Sequence, residues 1–325
     1  MRAIIPVAGF GTRLKPHTHS VPKVLLNVGG KPMLAYIIEK LLEEGVKKAT
    51  FIIGHLGNKI ESFVKTTYPE LKSDFIVQSE MLGLGHAIYT AIPTFDEKNL
   101  FIILGDTIFD VDLKNLFDSN YSSLGVKEVE DPRRFGVAIQ EDGFIKKLVE
   151  KPQSFVSKLA LVGLYYIQNP ELLKECLNEI VDQEIKTRGE YQLTDALQLM
   201  IDKGEKITTF PVEGWYDCGK PETLLSTNNF LLSKNNHHKE LKGVVIKNPV
   251  FIADNAIVEN SVIGPYTTIA DGCIIKNCII RNSIISSNAS VEKAMLENSI
   301  IGSNALIKGN FQKLNAGDSS EIEFY

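Results

Sequence analysis

The chain has 325 residues, of which 44% are hydrophobic and 23% charged, and its net charge at pH 7 is −5. At roughly 150 residues per domain this length predicts about two domains, and the composition excludes a disordered or fibrous chain. The 35 basic and 40 acidic residues create no overall field that favours nucleic acid or an anionic membrane as a partner. No apolar run approaches the ~20 residues that a membrane-spanning helix needs.

The amino terminus and the cysteines favour a cytoplasmic protein. The opening MRAIIPVAG is typical of a short strand that ends in glycine, and it lacks a signal-peptide cleavage pattern. Neither CxxC nor zinc-ligand spacing occurs among the four cysteines, Cys176, Cys218, Cys273 and Cys278. A reducing, cytoplasmic location is therefore expected.

Up to about residue 235, short β-branched runs alternate with longer amphipathic segments. Strands are predicted at Ala3–Ala8, Lys48–Gly54, Asp74–Gln78 and Asn99–Leu104. Helices are predicted at Pro32–Glu44, Lys59–Thr66, Gly85–Ala91, Pro170–Asp182 and Thr194–Lys203. Between Gly136 and Tyr166 the pattern is typical of antiparallel hairpins. This alternation predicts an α/β, Rossmann-like fold: a mixed, mostly parallel sheet with helices on both faces.

A different period begins beyond residue 240. The segments ENSVIGPYTTI (259–269), RNSIISSNASV (281–291) and ENSIIGSNALI (297–307) repeat one another. Apolar residues recur six positions apart, at Ile252/Val258, Ile263/Ile269, Ile285/Val291 and Ile301/Ile307. A six-residue period is typical of a left-handed parallel β-helix, whose coils of ~18 residues would number about four over residues 243–309.

These two patterns predict two domains. The α/β domain is expected over residues 1–235, and the β-helix with a carboxy-terminal tail over residues 236–325. The polar stretch Asn235–His238 is the predicted linker, and the tail from Phe311 is expected to cap the β-helix or to contact another subunit.

The first strand runs into a glycine-rich turn, Ala8-Gly9-Phe10-Gly11-Thr12-Arg13. Such a turn lets backbone N–H groups approach phosphate oxygens closely. The turn fits neither the dinucleotide-binding fingerprint nor the P-loop pattern. Arg13 at its end and Lys23, which follows Pro22 before an apolar stretch, are placed to reach the phosphates of a nucleoside triphosphate.

The segments AGFGTRLKP, PKVLL and GGKP resemble those of the sugar-1-phosphate nucleotidyltransferases in order and spacing. These enzymes join a nucleoside triphosphate to a sugar 1-phosphate and release pyrophosphate. LGHA at 84–87 is similar to bacterial UTP–glucose-1-phosphate uridylyltransferases, and LGDTIF at 104–109 to glucose-1-phosphate thymidylyltransferases. The resemblance covers about residues 1–230, and a hexapeptide-repeat tail is common in one branch of the family.

The resemblance implies a set of nucleotide-binding residues. In it, Gln78 looks like the residue that reads the pyrimidine edge, because one amide offers both a donor and an acceptor. Gly83 would let the base lie close to the backbone, whereas His86 is interpreted as a packing or capping residue at a helix start. The implied nucleotide-binding set is Ala8, Gly9, Gly11, Thr12, Arg13, Lys23, Gln78, Gly83 and Asp106.

Two carboxylates are the candidate ligands of Mg²⁺. Asp106 follows the most apolar strand, at the carboxyl end where open α/β sheets bind ligands. Asp217 in GWYDCG resembles the family's second metal carboxylate, although a buried structural aspartate is the alternative. Together they would hold Mg²⁺ while water and phosphate complete its octahedron. Asp110 and Asp112 are interpreted as loop or capping groups.

Four further motifs resemble the sugar side of the family's site, and they include Gly163-Leu164-Tyr165 and Glu190-Tyr191-Gln192-Leu193-Thr194-Asp195. The first of these resembles a strand of the sugar wall, and the acidic residues of the second are implied to be partly structural and partly near the sugar. Phe135-Gly136-Val137 resembles the segment whose backbone contacts the hexose, and Glu150-Lys151-Pro152 matches a motif in which the carboxylate accepts from sugar hydroxyls and the lysine neutralises the phosphate. Asp195 and Trp215 are as much candidates for the core as for the site. The implied sugar-phosphate-binding set is Gly136, Glu150, Lys151, Tyr165 and Thr194.

The implied reaction needs no general base, because a sugar 1-phosphate is already largely dianionic at neutral pH. The protein would position the reactants and neutralise charge. The candidate catalytic residues are Arg13, Lys23, Asp106, Lys151 and Asp217. The expected activity is Mg²⁺-dependent nucleotidyl transfer from dTTP or UTP to a sugar 1-phosphate, with glucose 1-phosphate favoured by the resemblance.

Two alternatives remain open. The β-helix could also acetylate an amino-sugar phosphate, with a carboxylate such as Asp254 or Glu259 as the base. All six histidines precede residue 239, which favours an allosteric role or assembly into a homo-oligomer instead. The chain could also be a non-catalytic relative with a regulatory role. The presence of Arg13, Lys23, Asp106, Lys151 and Asp217 argues against that reading.

Overall fold

The computed structural model of the protein describes residues 1–234 and 239–309. The chain forms two compact units: Met1–Asn27 with Lys31–Thr227, and Val28–Gly30 with the described residues from Asn228 onward. The predicted linker Asn235–His238 and the tail from Phe311 lie outside the described residues. The predicted boundary at 235/236 therefore stays a prediction.

The first 234 residues contain thirteen strands and seven α-helices, with four short 3₁₀ turns at Thr12–Leu14, Lys23–Leu25, Ile92–Thr94 and Pro132–Arg134. The strands are β1 (Arg2–Pro6), β2 (Asn27–Val28), β3 (Lys31–Pro32), β4 (Lys48–Ile53), β5 (Lys72–Val77), β6 (Leu100–Ile103), β7 (Thr107–Asp110), β8 (Ser122–Glu128), β9 (Gly136–Glu141), β10 (Phe144–Glu150), β11 (Leu159–Ile167), β12 (Ile207–Pro211) and β13 (Gly214–Asp217). The helices are α1 (Met33–Glu43), α2 (Gly57–Thr67), α3 (Leu84–Thr90), α4 (Lys114–Phe117), α5 (Pro170–Asp182), α6 (Leu193–Asp202) and α7 (Pro221–Lys234).

The main sheet has nine strands in the order β10-β9-β11-β6-β1-β4-β5, with β8 and β12 attached beside β11. Strand β1 lies between β4 and β6 and is parallel to both, whereas β11 is antiparallel to β6. The predicted mixed α/β sheet is confirmed, including its antiparallel strands in the Gly136–Tyr166 region.

The helices cover both faces of the sheet, as predicted. Alternate residues of β1 point to opposite faces: Ala3 and Ile5 join the core with α1 and α2, and Ile4 joins the core with α3, α5 and α6. Helix α5 begins after Asn169, whose side chain accepts a hydrogen bond from the Leu172 backbone N–H. No helix among the described residues is both long and apolar enough to cross a membrane.

The described residues of the second unit contain twelve short strands in three parallel sheets of four. This arrangement fits the predicted left-handed β-helix of about four coils. Their central side chains form one core that includes Ile263, Ile269, Ile275, Ile280 and Ile285. The strands are β14 (Val245–Ile246), β15 (Val250–Ile252), β16 (Ile257–Glu259), β17 (Val262–Ile263), β18 (Thr267–Ile269), β19 (Ile274–Lys276), β20 (Ile279–Arg281), β21 (Ile284–Ile285), β22 (Ser290–Glu292), β23 (Met295–Glu297), β24 (Ile300–Ile301) and β25 (Leu306–Lys308).

The predicted coil length of about 18 residues is wrong. Ile246 pairs with Ile263, Ile263 with Ile280 and Ile280 with Leu296, in steps of 17, 17 and 16 residues. The shortening has a local cause, because in the later coils two of the three corners contain only two residues each, and the first of these has positive φ. These first residues are Asn277, Asn282, Lys293 and Asn298. Asparagine tolerates that left-handed conformation better than most residues, which explains part of its recurrence in the repeats.

Two neighbouring residues of β20 test which face of the β-helix carries its stability. Ile280 is fully buried, whereas Ile279 is 40% exposed. We expect Ile280→Ala to lower the free energy of unfolding by about 3 kcal/mol, because it leaves a cavity in a closed core. Ile279→Ala should cost less than about 1 kcal/mol. Urea unfolding followed by circular dichroism measures both, and equal losses would contradict the assignment of the inner face.

Candidate active site

Two adjoining clefts open near the carboxyl ends of β1 and β6. The larger has a volume of about 750 Å³ and the smaller about 450 Å³. Both are lined by Arg13, Leu84, Leu104, Asp106 and Glu190. This is the edge of the sheet at which parallel α/β proteins bind ligands.

The glycine-rich turn forms one wall of the smaller cleft. Gly11 has φ of 61° and begins the 3₁₀ turn Thr12–Leu14, and its carbonyl accepts a hydrogen bond of 2.9 Å from Thr18 Oγ1. A Cβ at Gly11 would lie only 2.9 Å from Thr18 and 3.0 Å from Lys23. A Cβ at Gly9, in contrast, would meet nothing within 4 Å. The turn therefore packs tightly against Thr18 and Lys23 at Gly11, whereas its backbone at Gly9 is open.

Lys23 lies at the junction between the glycine-rich turn and the end of β6. Its Nζ is 2.8 Å from Asp106 Oδ2, and the residue is only 8% exposed. A nearly buried ammonium needs such a partner, because an unpaired buried charge is costly. The ion pair thus holds a cation and an anion side by side at the floor of the smaller cleft.

Asp217 reaches the same place from a distant part of the chain. Strands β7 and β13 are antiparallel, with Asp217 opposite Thr107, and the Cys218 N–H donates to the Asp106 carbonyl over 3.3 Å. A Cβ at Gly219 would lie 2.8 Å from both Arg13 Nη2 and Asp217 Oδ1. The absence of a side chain at Gly219 therefore lets the Arg13 guanidinium and the Asp217 carboxylate approach each other.

The two aspartates fit a cation that brings most of its own ligands. Among the described residues there is no cluster of three or more histidine, cysteine, aspartate or glutamate side chains that would enclose a metal. Two carboxylates beside a glycine-rich turn suit Mg²⁺, which prefers oxygen ligands, usually keeps several waters and binds substrate phosphates. Burial raises the pKa of the neighbouring Cys218 thiol to about 12.

Glu150 is the centre of the larger cleft's polar wall. Its Oε2 accepts a hydrogen bond of 2.8 Å from Thr194 Oγ1, and its Oε1 lies 3.3 Å from Lys151 Nζ. A Cβ at Gly136 would lie 3.0 Å from Glu150 Oε2. Burial, and then the Glu150 charge, raise the pKa of the Tyr165 hydroxyl, which therefore stays protonated. All five predicted sugar-phosphate residues line this cleft.

The backbone of Lys151 is held in a left-handed conformation, with φ of 42°. Its N–H donates to the Phe135 carbonyl over 2.9 Å, and its carbonyl accepts from Arg188 Nη2 over 2.6 Å. These two bonds stabilise a conformation that is unfavourable for a residue with a side chain.

Gln78 and Gly83 lie together in the smaller cleft, as expected for residues around one base. Gln78 is 5% exposed and follows β5 directly. Gly83 has φ of 110°, and a Cβ there would lie 2.5 Å from the Tyr191 carbonyl oxygen. Only glycine therefore fits this position. His86 does not cap α3, whose N-cap is Gly83; instead its ring packs beside Tyr89 and Tyr191.

Three other predicted candidates differ in where the structure places them. Trp215 lines the larger cleft, where its ring meets Phe135 edge to face at 5.1 Å, and its buried Nε1 has no hydrogen-bond partner among the described residues. Asp195 is not among the residues that line either cleft, and burial raises the pKa of its carboxyl. Asp112 accepts from the Lys114 N–H, as a capping group.

The structure adds cleft residues that the sequence did not single out as site candidates. Arg134 precedes the predicted Phe135-Gly136-Val137 segment, and Lys220 precedes α7, so only their position beside known motifs could have signalled them. The additional residues of the larger cleft include Arg134, Tyr216, Lys220 and Thr223.

The fold and the cleft between a glycine-rich turn and two carboxylates suit an enzyme of phosphate chemistry. The profile of the Nucleotidyl transferase family matches residues 2–234. The protein belongs to this family, and it is a nucleotidyltransferase of the sugar-1-phosphate class, as the motifs predicted.

Curated relatives share both the catalytic region and most of the remaining chain. The nucleotidyltransferase Agl11 of low-salt glycan biosynthesis in Haloferax volcanii is 32% identical, with 90% of this chain and 89% of that protein aligned. The bifunctional protein GlmU of Methanocaldococcus jannaschii is 36% identical over 90% of this chain and 74% of its own. A glucose-1-phosphate thymidylyltransferase of Streptomyces griseus is 29% identical over 90% and 88%.

Solved structures show the same fold. A UDP-glucose pyrophosphorylase complexed with UDP-glucose superimposes with a TM-score of 0.62 at 27% identity. The superposition covers 72% of this chain and 99% of that one.

The Thr194–Glu150 hydrogen bond yields a test of the larger cleft. We expect Thr194→Val to raise the KM for the sugar phosphate about tenfold, because a hydrogen bond to a carboxylate is lost, and to leave the KM for the nucleotide nearly unchanged. Thr194→Ser, which keeps the hydroxyl, is the control. Steady-state kinetics with each substrate varied measure this, and a KM for the sugar phosphate within twofold of wild type in Thr194→Val would contradict the role of the hydroxyl.

Proposed function

We propose that this protein transfers a nucleotidyl group from UTP or dTTP to a sugar 1-phosphate, with glucose 1-phosphate as the favoured acceptor and Mg²⁺ as the cofactor. The observation that carries the proposal is the placement of Lys23 and Asp106 in the cleft system where a glycine-rich turn and Asp217 converge. Phosphoryl chemistry requires such a concentration of positioned charge.

The smaller cleft is proposed to bind the nucleoside triphosphate. Its glycine-rich turn offers backbone N–H groups, and Arg13 and Lys23 supply positive charge for the triphosphate. The buried amide of Gln78 is proposed to read the base, which lies against Gly83. The nucleotide-binding set is therefore kept as predicted: Ala8, Gly9, Gly11, Thr12, Arg13, Lys23, Gln78, Gly83 and Asp106.

The larger cleft is proposed to bind the sugar 1-phosphate. Glu150, oriented by Thr194, is an acceptor for sugar hydroxyls, and Lys151 is the cation for the sugar's phosphate. Phe135, Trp215 and Tyr165 supply the apolar walls on which a sugar ring packs. The proposed preference for glucose is supported by the UDP-glucose complex of the structural neighbour and by the thymidylyltransferase relative.

In the proposed mechanism, the chain orients two anions and screens their repulsion. An oxygen of the sugar 1-phosphate attacks the α-phosphorus in line, the bond to the β-phosphate oxygen breaks, and pyrophosphate leaves. Lys151 holds the attacking phosphate, while Arg13 and Lys23 hold the triphosphate. Asp106 and Asp217 would hold Mg²⁺, which supplies charge neutralisation between the reacting phosphates.

The β-helix is proposed to join subunits into a homo-oligomer rather than to acetylate a sugar. One of its sheets presents an apolar row on the outer face, where Val245, Ile279 and Met295 are 56%, 40% and 74% exposed. Rows of this kind on a regular surface are typical of protein–protein contacts. Acetyl transfer by the β-helix is the second candidate function, because one relative is named as a bifunctional protein. The sequence after residue 238, however, contains no histidine to serve as a base.

Pyrophosphate release tests the proposed function. With glucose 1-phosphate and Mg²⁺, we expect turnover with UTP or dTTP and at least 100-fold lower kcat/KM with ATP, GTP and CTP, because those bases present a different edge or size to Gln78. The five nucleotides are assayed in parallel. Turnover with only N-acetylglucosamine 1-phosphate or mannose 1-phosphate would change the sugar assignment, and no turnover with any of these sugar phosphates would refute the proposed function.

A further inference from the structure

The Gln78 side chain has a defined orientation in the smaller cleft. Its Nε2 lies 3.4 Å from the Gly83 carbonyl oxygen and 3.4 Å from His86 Nδ1. An amide nitrogen carries two N–H donors, and these two acceptors take both of them. Among the described residues, every hydrogen-bond contact of this amide uses Nε2, so Oε1 is the atom that it offers to the smaller cleft.

His86 is itself fixed by its neighbours. Its ring centroid lies 6.2 Å from that of Tyr89 and 6.2 Å from that of Tyr191, at interplanar angles of 23° and 28°. Its ring nitrogen Nδ1 can accept from Gln78 only in the neutral tautomer with the proton on Nε2. The Gly83 carbonyl is equally constrained, because the positive φ of Gly83 and its close approach to Tyr191 leave no room for another conformation.

We propose that His86 is a positioning residue for base selection, which rests on the proposed role of Gln78 in reading the base. By accepting from Nε2, His86 keeps the amide oxygen of Gln78 directed at the base. An oxygen there accepts from the N3–H of uracil or thymine and repels the lone pair of N3 in cytosine. His86 thus makes the site selective for bases with an imide N–H, although it need not touch the nucleotide.

The alternative is that His86 only fills space between two tyrosines. A packing residue would affect all nucleotides alike, because its loss would loosen the whole helix start. An amide-orienting residue acts on the difference between bases, because an amide that loses one acceptor can turn over and present Nε2 to the base. The ratio of kcat/KM for UTP to that for CTP therefore separates the two roles.

The test compares wild type, His86→Leu and His86→Asn, with glucose 1-phosphate as the acceptor. We expect His86→Leu to lower the UTP/CTP ratio of kcat/KM about fivefold, because one hydrogen bond that fixes the amide is lost. His86→Asn should keep the ratio within about twofold, because its amide oxygen can take the place of Nδ1. Tyr89→Leu is the matched control, since it removes a ring that packs on His86 without changing the acceptor.

The outcomes distinguish this inference from the proposed function. If His86→Leu lowers kcat/KM for UTP and CTP by the same factor, or if Tyr89→Leu lowers the ratio as much, His86 is a packing residue and the inference is overturned. If His86→Leu folds poorly, His86→Phe gives the same comparison, because it keeps a ring beside Tyr89 and Tyr191 but has no acceptor for Gln78. If wild type turns over neither UTP nor dTTP, the proposed function fails first.

Discussion

The Lys23–Asp106 ion pair is the interaction on which the site depends. It joins the segment after the glycine-rich turn to the residue that follows the central strand β6, with 2.8 Å between the charged atoms. The carboxylate stabilises a nearly buried ammonium in this position, and that ammonium would be costly without its partner. The pair thereby places opposite charges where a triphosphate and a cation are proposed to meet.

The two clefts, which are proposed to bind two different ligands, meet at this ion pair. Arg13, Leu104 and Asp106 line both clefts, so a group bound in one lies next to a group bound in the other. The smaller cleft is built from backbone and glycines, which suits phosphates and a flat base. The larger is built from aromatic walls and the Glu150–Thr194 pair, which suits a hydroxylated ring.

The sequence predicted the parts of the structure that short-range patterns encode. The amphipathic spacing of α5 predicted its bounds, Pro170–Asp182, without error, and the glycine-rich turn drew attention to Arg13 and Lys23. Contacts between distant segments could not be predicted in this way. The pairing of Thr107 with Asp217 joins residues far apart in the chain, and local periodicity carries no information about it. The coils were overestimated in length because two-residue corners, such as Asn277–Cys278, shorten a coil without disturbing the apolar pattern.

The central claim is that Asp106 and Asp217 hold one cation beside the triphosphate. Binding of Mn²⁺ in the presence of a non-transferable UTP analogue, followed by electron paramagnetic resonance, tests this most directly. The account predicts that Asp106→Asn and Asp217→Asn each weaken Mn²⁺ binding at least tenfold, since each removes one carboxylate ligand, while Asp195→Asn, outside both clefts, does not. Wild-type affinity in Asp217→Asn would contradict the account and make Asp217 a structural residue.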